Sequence, residues 1–169
     1  KSELERIIAL KLGKKNLLIT MHPTTLEERS SKQSFQALLD VLNDYKEINL
    51  IFTSPNADID NHIIKGMVDD FVLNNRDRSS SFVSLGRLKY LSILQYIDGV
   101  VGNSSSGLTE APTFKIGTVN IGNRQNGRLK SDSIIDCNAD KNSIKKAIKK
   151  LYSNDFKDKL KMVQNPYGD

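Results

Sequence analysis

The chain has 169 residues, 38% hydrophobic and 27% charged, with 25 basic against 20 acidic side chains for a net charge of +5. That length suits one domain able to bury roughly two-thirds of its unfolded surface, and the composition excludes a disordered chain. No apolar run approaches the roughly 20 residues of a membrane span, and the N-terminal KSELERIIALKLGKKN lacks the apolar core of a secretory signal, so a cytoplasmic protein with no membrane partner is expected.

In chain order, a charged helix opens at Lys1, and short apolar runs of strand length recur at 16–21 (NLLITM), 48–52 (INLIF), 81–85 (SFVSL), 99–102 (GVVG), 117–121 (GTVNI) and 133–136 (SIID). Between most of them lie helical patterns: Phe35, Leu38, Leu39 and Leu42; then Ile63, Ile64, Met67, Val68 and Phe71; then Tyr90, Leu91, Ile93 and Leu94. Strands alternating with helices predict an α/β fold, a doubly wound and mostly parallel sheet covered on both faces. Unbroken runs such as LLI and VV agree with strands buried on both sides. The polar NNRDRSSS (74–81) reads as a loop, and no repeat or low-complexity tract divides the chain.

Near the C-terminus Ile144, Ala147, Ile148 and Leu151 mark one helical face, with Lys141, Lys145, Lys146, Lys149 and Lys150 largely on the others. This is a solvated lysine face rather than a polyanion stripe, because neither RNP-type aromatics nor helix-turn-helix spacing accompany it, and no nucleic acid is expected. Cys137 is the single cysteine, which excludes an intrachain disulfide and a thiolate zinc cluster; a small, buried, inert residue is expected. The abrupt start at Lys1 and the turn-like NPYGD at the end predict a piece of a longer chain.

Ligands of an open parallel sheet bind beyond the carboxyl ends of its strands. The segments there are polar: MHPTT, TSPNADIDN, GRLKY, GNSSSGLTE and GNRQNGR. Collected at one edge they would supply His22, Thr24, Asn56, Asp58, Arg87, Ser104, Ser105, Ser106, Glu110, Arg124 and Arg128.

The stretch GNSSSGLTEAP (102–112) is the most informative. Pro112 disfavours helical geometry at Ala111, so the helix begun there should be short or kinked, with Ser104 to Ser106 at its start. A helix start offers unpaired N–H groups, and small side chains let an anion approach them, which makes a phosphate cradle without a Walker lysine. Glu110 lies where a carboxylate could accept from a ribose diol. A capping Ser104 and a solvated Glu110 would satisfy the same stretch. His22, before Pro23, suits a phosphate-binding imidazolium or a general acid for a departing phosphate. His62 reads as structural. Arg124 and Arg128 flank a Gly-containing loop and could pair with phosphate, with carboxylates of another domain, or with solvent.

Together MHPTT, TSPNADIDN, GNSSSGLTEAPTFKIGTVNIGNRQNGR and NPYGD resemble the C-terminal half of UDP-N-acetylglucosamine 2-epimerases, specifically the hydrolysing, sialic-acid-type branch, from KKNLLITMHP nearly to the end. The resemblance implies the UDP-binding Rossmann-like domain of a two-domain, GT-B-like enzyme. It implies pyrophosphate binding by Ser104, Ser105 and Ser106, ribose binding by Glu110, uracil near Gly86 and Arg87, nucleotide contacts by Asn56 and Arg124, and phosphate contact with leaving-group protonation by His22. It implies loss of UDP by elimination to a 2-acetamidoglucal and then addition of water, with the carboxylates for C2 proton abstraction mainly in the N-terminal domain. No metal or other cofactor is called for. The implied partners are UDP, a UDP-N-acetylhexosamine and the N-terminal domain of the same chain; the oligomeric state stays open between a monomer and a homo-oligomer. The competing readings are the nucleotide-sugar half of a GT-B glycosyltransferase and a nucleotide-binding regulatory module.

Overall fold

Parallel strands form where most of the apolar runs lie, and over 16–20, 99–102 and 117–121 every residue is buried. The computed structural model describes residues 1–23, 28–53 and 62–168. Its strands are β1 (Asn16–Thr20), β2 (Asn49–Thr53), β3 (Ser79–Phe82), β4 (Gly99–Gly102), β5 (Gly117–Ile121) and β6 (Ile134–Cys137), in the sheet order β3-β2-β1-β4-β5-β6. Every neighbouring pair is parallel, and β1 takes β2 on one side (Leu18 opposite Ile51) and β4 on the other (Leu18 opposite Val100). This is the doubly wound order in which connections leave in opposite directions from β1 and β4, and the crevice between those two strand ends is its natural binding position.

Alternation along each strand divides the core. Leu17 and Ile19 point into a cluster with Phe35, Leu38, Leu42, Ile144 and Ile148 from helices α2 (Glu28–Asp44) and α6 (Lys141–Leu151). On that face also lie α3 (His62–Leu73) and α7 (Asn154–Lys161). Leu18, Ile51 and Val100 point the other way, against Leu4 and Ile8 of α1 (Ser2–Ile8) and Ile93 and Leu94 of α4 (Gly86–Leu94). At roughly 1.5–3 kcal/mol for each fully buried large aliphatic side chain, the two layers hold the strand ends in fixed register.

The doubly wound α/β expectation is met, with one strand displaced. The strand expected over 81–85 lies at Ser79–Phe82, so Ser79 to Ser81 belong to the sheet rather than to a loop. The cause is Arg78, 4% exposed despite its charge. Its guanidinium donates to the carbonyls of Tyr45 and Ile48, each at 3.2 Å, and to Asn75 Oδ1 at 2.9 Å, while its own carbonyl accepts from Leu50 N at 2.8 Å. Those bonds fix the chain as it enters the sheet and start the β2–β3 pairing at Leu50 opposite Ser79.

The lysine face of α6 is exposed as expected, and two of its residues also bridge to α2, Lys141 to Asp40 and Lys145 to Asp44. Such exposed pairs contribute about 1 kcal/mol at most. Cys137 is half-buried rather than fully buried at the end of β6, and burial, with Asp140 and Asp136 nearby, pushes its thiol up to about 12, which keeps it protonated in the neutral range. Among the described residues no helix is long and apolar enough to cross a membrane.

Candidate functional site

Strand β4 ends at Gly102, whose φ of +139° turns the chain away from β1; a Cβ there would lie 1.8 Å from the Thr20 carbonyl oxygen. Only glycine allows so close an approach. The turn delivers Asn103 and Ser104 to Ser106 to the crevice between β1 and β4. As Pro112 implies, the following helix α5 is a single turn, Ser106–Thr109, and a 3₁₀ turn, Ala111–Phe114, takes over with Pro112 in its first positions.

Ser104, Ser105 and Ser106 are all half-buried at the mouth of the crevice. The amide of Gly107 bonds back to Ser104 O at 3.3 Å and that of Ser106 to Ser104 Oγ at 3.4 Å, which closes a tight turn at the helix start. The hydroxyls form a short relay. Tyr90 Oη donates to Ser106 Oγ at 2.6 Å, and Ser106 Oγ lies 3.0 Å from Ser104 Oγ. Ser105, the residue before α5, makes no side-chain capping bond.

A cavity of about 420 Å³ opens beside this relay, lined by Arg87, Tyr90, Ser106, Glu110, Thr53 and Leu85 among others. Arg87 is the second residue of α4, and Glu110 stands at the break between α5 and the 3₁₀ turn. Burial raises the Glu110 carboxyl above its ordinary value, partly opposed by the Arg87 guanidinium. Arg87 and Glu110 thus share a half-apolar recess with one charge of each sign.

His22 lies on the other side of the crevice, half-buried after β1. It borders a larger cavity, about 730 Å³, that runs past Asn103 to Asn123, Asn126, Lys130 and Asp136 at the ends of β5 and β6. Burial tends to raise the Asp136 carboxyl, but hydrogen bonds from Lys130 (2.8 Å) and Asn120 (2.6 Å), with the Lys130 charge, leave it below its ordinary value.

The edge therefore gathers His22, Ser104, Ser105 and Ser106 around one crevice, with Arg87 and Glu110 in an adjoining recess. Arg124 is exposed, and its guanidinium donates to the Asn103 carbonyl at 3.0 Å, which gives it a loop-holding contact. Arg128 is exposed, and so is His62 at the first position of α3. Thr24, Asn56 and Asp58 lie outside the described residues. Among the described residues no group of three or more His, Cys, Asp or Glu side chains could hold a metal ion.

Three residues of the edge escape sequence reasoning. Asn103 is 2% exposed and bonds both backbone groups of His22; Gln125, 1% exposed, donates to the Asn103 carbonyl at 2.7 Å; Tyr90 orients Ser106. Asn103 and Gln125 resemble ordinary polar loop residues in sequence, and Tyr90 reads as one more apolar position of a helix.

The chain resembles known proteins along its whole length. The family model for UDP-N-acetylglucosamine 2-epimerase matches residues 1–169. The GDP/UDP-N,N'-diacetylbacillosamine 2-epimerase (hydrolyzing) of Campylobacter jejuni is 40% identical over 157 residues, which are 93% of this chain and 40% of that protein. The polysialic acid biosynthesis protein P7 of Escherichia coli is 35% identical over 171 residues, 99% of this chain and 42% of that protein. The S. aureus MnaA–UDP complex superposes with a TM-score of 0.74 at 18% identity, covering 100% of this chain and 44% of that one. The chain spans about two-fifths of the length of the curated relatives it matches. With its sheet order, its crevice and a family match from the first residue to the last, the chain belongs to the UDP-N-acetylglucosamine 2-epimerase family.

Proposed function

We propose that this chain is the nucleotide-binding half of a hydrolysing UDP-N-acetylglucosamine 2-epimerase and holds UDP across the β1/β4 crevice. The observation that carries this reading is the convergence of His22 and the Ser104–Ser106 turn at one switch point, beside a recess with Arg87 and Glu110. The pyrophosphate meets the hydroxyls of Ser104 to Ser106 at the helix start, the ribose diol meets Glu110, and the base lies in the recess near Gly86 and Arg87. Asn56 joins the nucleotide contacts. Arg124 acts first by holding the loop and can extend to the phosphates.

The reaction takes a proton from C2 as the C1–O bond to UDP breaks, which leaves a 2-acetamidoglucal. Water then returns a hydroxyl to C1 and a proton to the opposite face of C2, giving N-acetylmannosamine and UDP. His22 stabilises or protonates the leaving phosphate. The carboxylates for C2 lie in the N-terminal half of a GT-B-like enzyme, a division supported by relatives more than twice as long as this chain. The enzyme works in the cytoplasm without a metal or other cofactor.

A second reading of the sugar rests on the Campylobacter relative, whose name specifies a 2,4-diacetamido sugar. Product analysis of the full-length enzyme with UDP-N-acetylglucosamine and with the diacetamido sugar separates the two. Calorimetry on this chain tests the nucleotide reading: UDP should bind more tightly than GDP or ADP, and equal binding of all three, or none, counts against it.

A further inference from the structure

The backbone of β1 leaves its ladder at Thr20, which is the last residue paired with β4, opposite Gly102. Beyond that point the two chains diverge, because Gly102 turns β4 away. One further backbone bond follows, Asn103 N to Thr20 O at 3.1 Å. The Asn103 side chain then takes the place of a strand. Its Oδ1 accepts from His22 N at 2.7 Å and its Nδ2 donates to His22 O at 2.9 Å. A carboxamide is suited to this, since it offers one acceptor and a donor side by side and can close a ring with the N–H and C=O of a single residue. An Asp would keep the acceptor but set a carboxylate oxygen against the His22 carbonyl.

The bonds are well protected. Asn103 is 2% exposed, so its polar atoms have few solvent alternatives. Its own carbonyl is held from the third loop by Arg124 (3.0 Å) and Gln125 (2.7 Å). Pro23 follows His22 and contributes no amide. Asn103 thus ties together the segments after β1, β4 and β5, and stands next to Ser104.

We infer that Asn103 is a positioning residue, which clamps the His22 backbone so that the imidazole is presented to the same anion as the Ser104–Ser106 turn. This rests on the nucleotide-binding reading above. Its predicted signature is a dependence on the His22 ring, which a residue that merely stabilises the fold would not show.

The test uses the 169-residue chain, UDP as probe, and the variants Asn103→Leu, His22→Ala and their double. Asn103→Leu should weaken UDP binding by about tenfold in the wild-type background and by less than about threefold when His22 is already Ala. By NMR, exchange of the His22 amide should rise by about tenfold or more in Asn103→Leu, while the Ile19 amide inside β1 is unchanged. Equal losses in both backgrounds, or an unchanged His22 amide, would overturn the inference. If Asn103→Leu does not fold, Asn103→Asp repeats the measurements; failure of both to fold assigns Asn103 to stability alone and also overturns it. If the wild-type chain does not bind UDP, the nucleotide reading falls separately and the amide exchange alone decides the clamp.

Discussion

The hydroxyl of Tyr90 donates to Ser106 Oγ at 2.6 Å, linking α4 to the serine turn that follows β4. Burial pushes the Tyr90 phenol up to about 12, so it stays protonated and remains a donor throughout the neutral range. With one Ser106 lone pair taken, the Ser106 hydrogen is directed to Ser104 or to an anion in the crevice. Tyr90→Phe keeps the ring and removes this bias. It should lower stability by about 1 kcal/mol, the ordinary net worth of one hydrogen bond. UDP affinity should fall by about three- to tenfold in calorimetry. An affinity within twofold of wild type would show that the relay does not reach the ligand.

Gly102→Ala sets the cost of the turn that creates the crevice. The added methyl would meet the Thr20 carbonyl oxygen at 1.8 Å, on a backbone with φ of +139°, so β1 and β4 must separate. A loss above about 3 kcal/mol, or no folded protein, is expected from urea denaturation. Gly122→Ala is the comparison, since its φ is also positive (+77°) but nothing lies within 4 Å of the added atom. It should cost only about 1–2 kcal/mol. Equal midpoints for the two variants would contradict the close approach at Thr20.

Glu110 and Asp136 should respond to pH in opposite directions. Burial raises the folded-state pKa of Glu110, so between the ordinary glutamate value and that raised value the folded state binds more protons than the unfolded one. Ionised Glu110 therefore costs stability at neutral pH, and the cost disappears as pH falls through that window. Glu110→Gln should be more stable than wild type at pH 7 and flatter across the window, while losing UDP affinity, as expected where a site residue is kept at the expense of stability. Asp136 is lowered overall, so its contribution is present above the ordinary aspartate value and lost as pH falls through the depressed one. Asp136→Asn should lose stability at pH 7. Thermal melts across pH 3 to 8 read both, and a Glu110→Gln protein less stable than wild type at pH 7 would reverse the first assignment.

Much of this architecture is legible because burial on both faces writes itself as unbroken apolar runs, as in Leu17–Leu18–Ile19 and Val100–Val101. The break after α5 is legible from a local rule, Pro112 acting on its predecessor. β3 is not, because Ser79 to Ser81 have no strand signature of their own; the buried Arg78 guanidinium and pairing with β2 place them in the sheet. The site divides in the same way. His22, Ser104 and Glu110 are visible as residue types after strands, whereas Asn103 reveals itself only through a partner 81 positions away. Non-local hydrogen bonds leave no periodicity for a sequence reading to find.

The proposed roles of His22 and Ser104 can be separated in the full-length enzyme by the kinetic parameter each one moves. In its proposed role Ser104 would meet a pyrophosphate present in both ground and transition states, so Ser104→Ala should mainly raise KM, a loss of uniform binding with a modest effect. In its proposed role His22 would stabilise charge that grows on the phosphate as the C1–O bond breaks, so His22→Ala should lower kcat, by about 10²–10⁴-fold if it transfers a proton. Disturbing Asn103 should follow the His22 pattern and not the Ser104 one, since its side chain bonds the His22 backbone. Thermal unfolding of each variant identifies any loss that comes from the fold. A His22→Ala enzyme with wild-type kcat removes His22 from the chemistry and leaves this edge of the sheet with nucleotide binding alone.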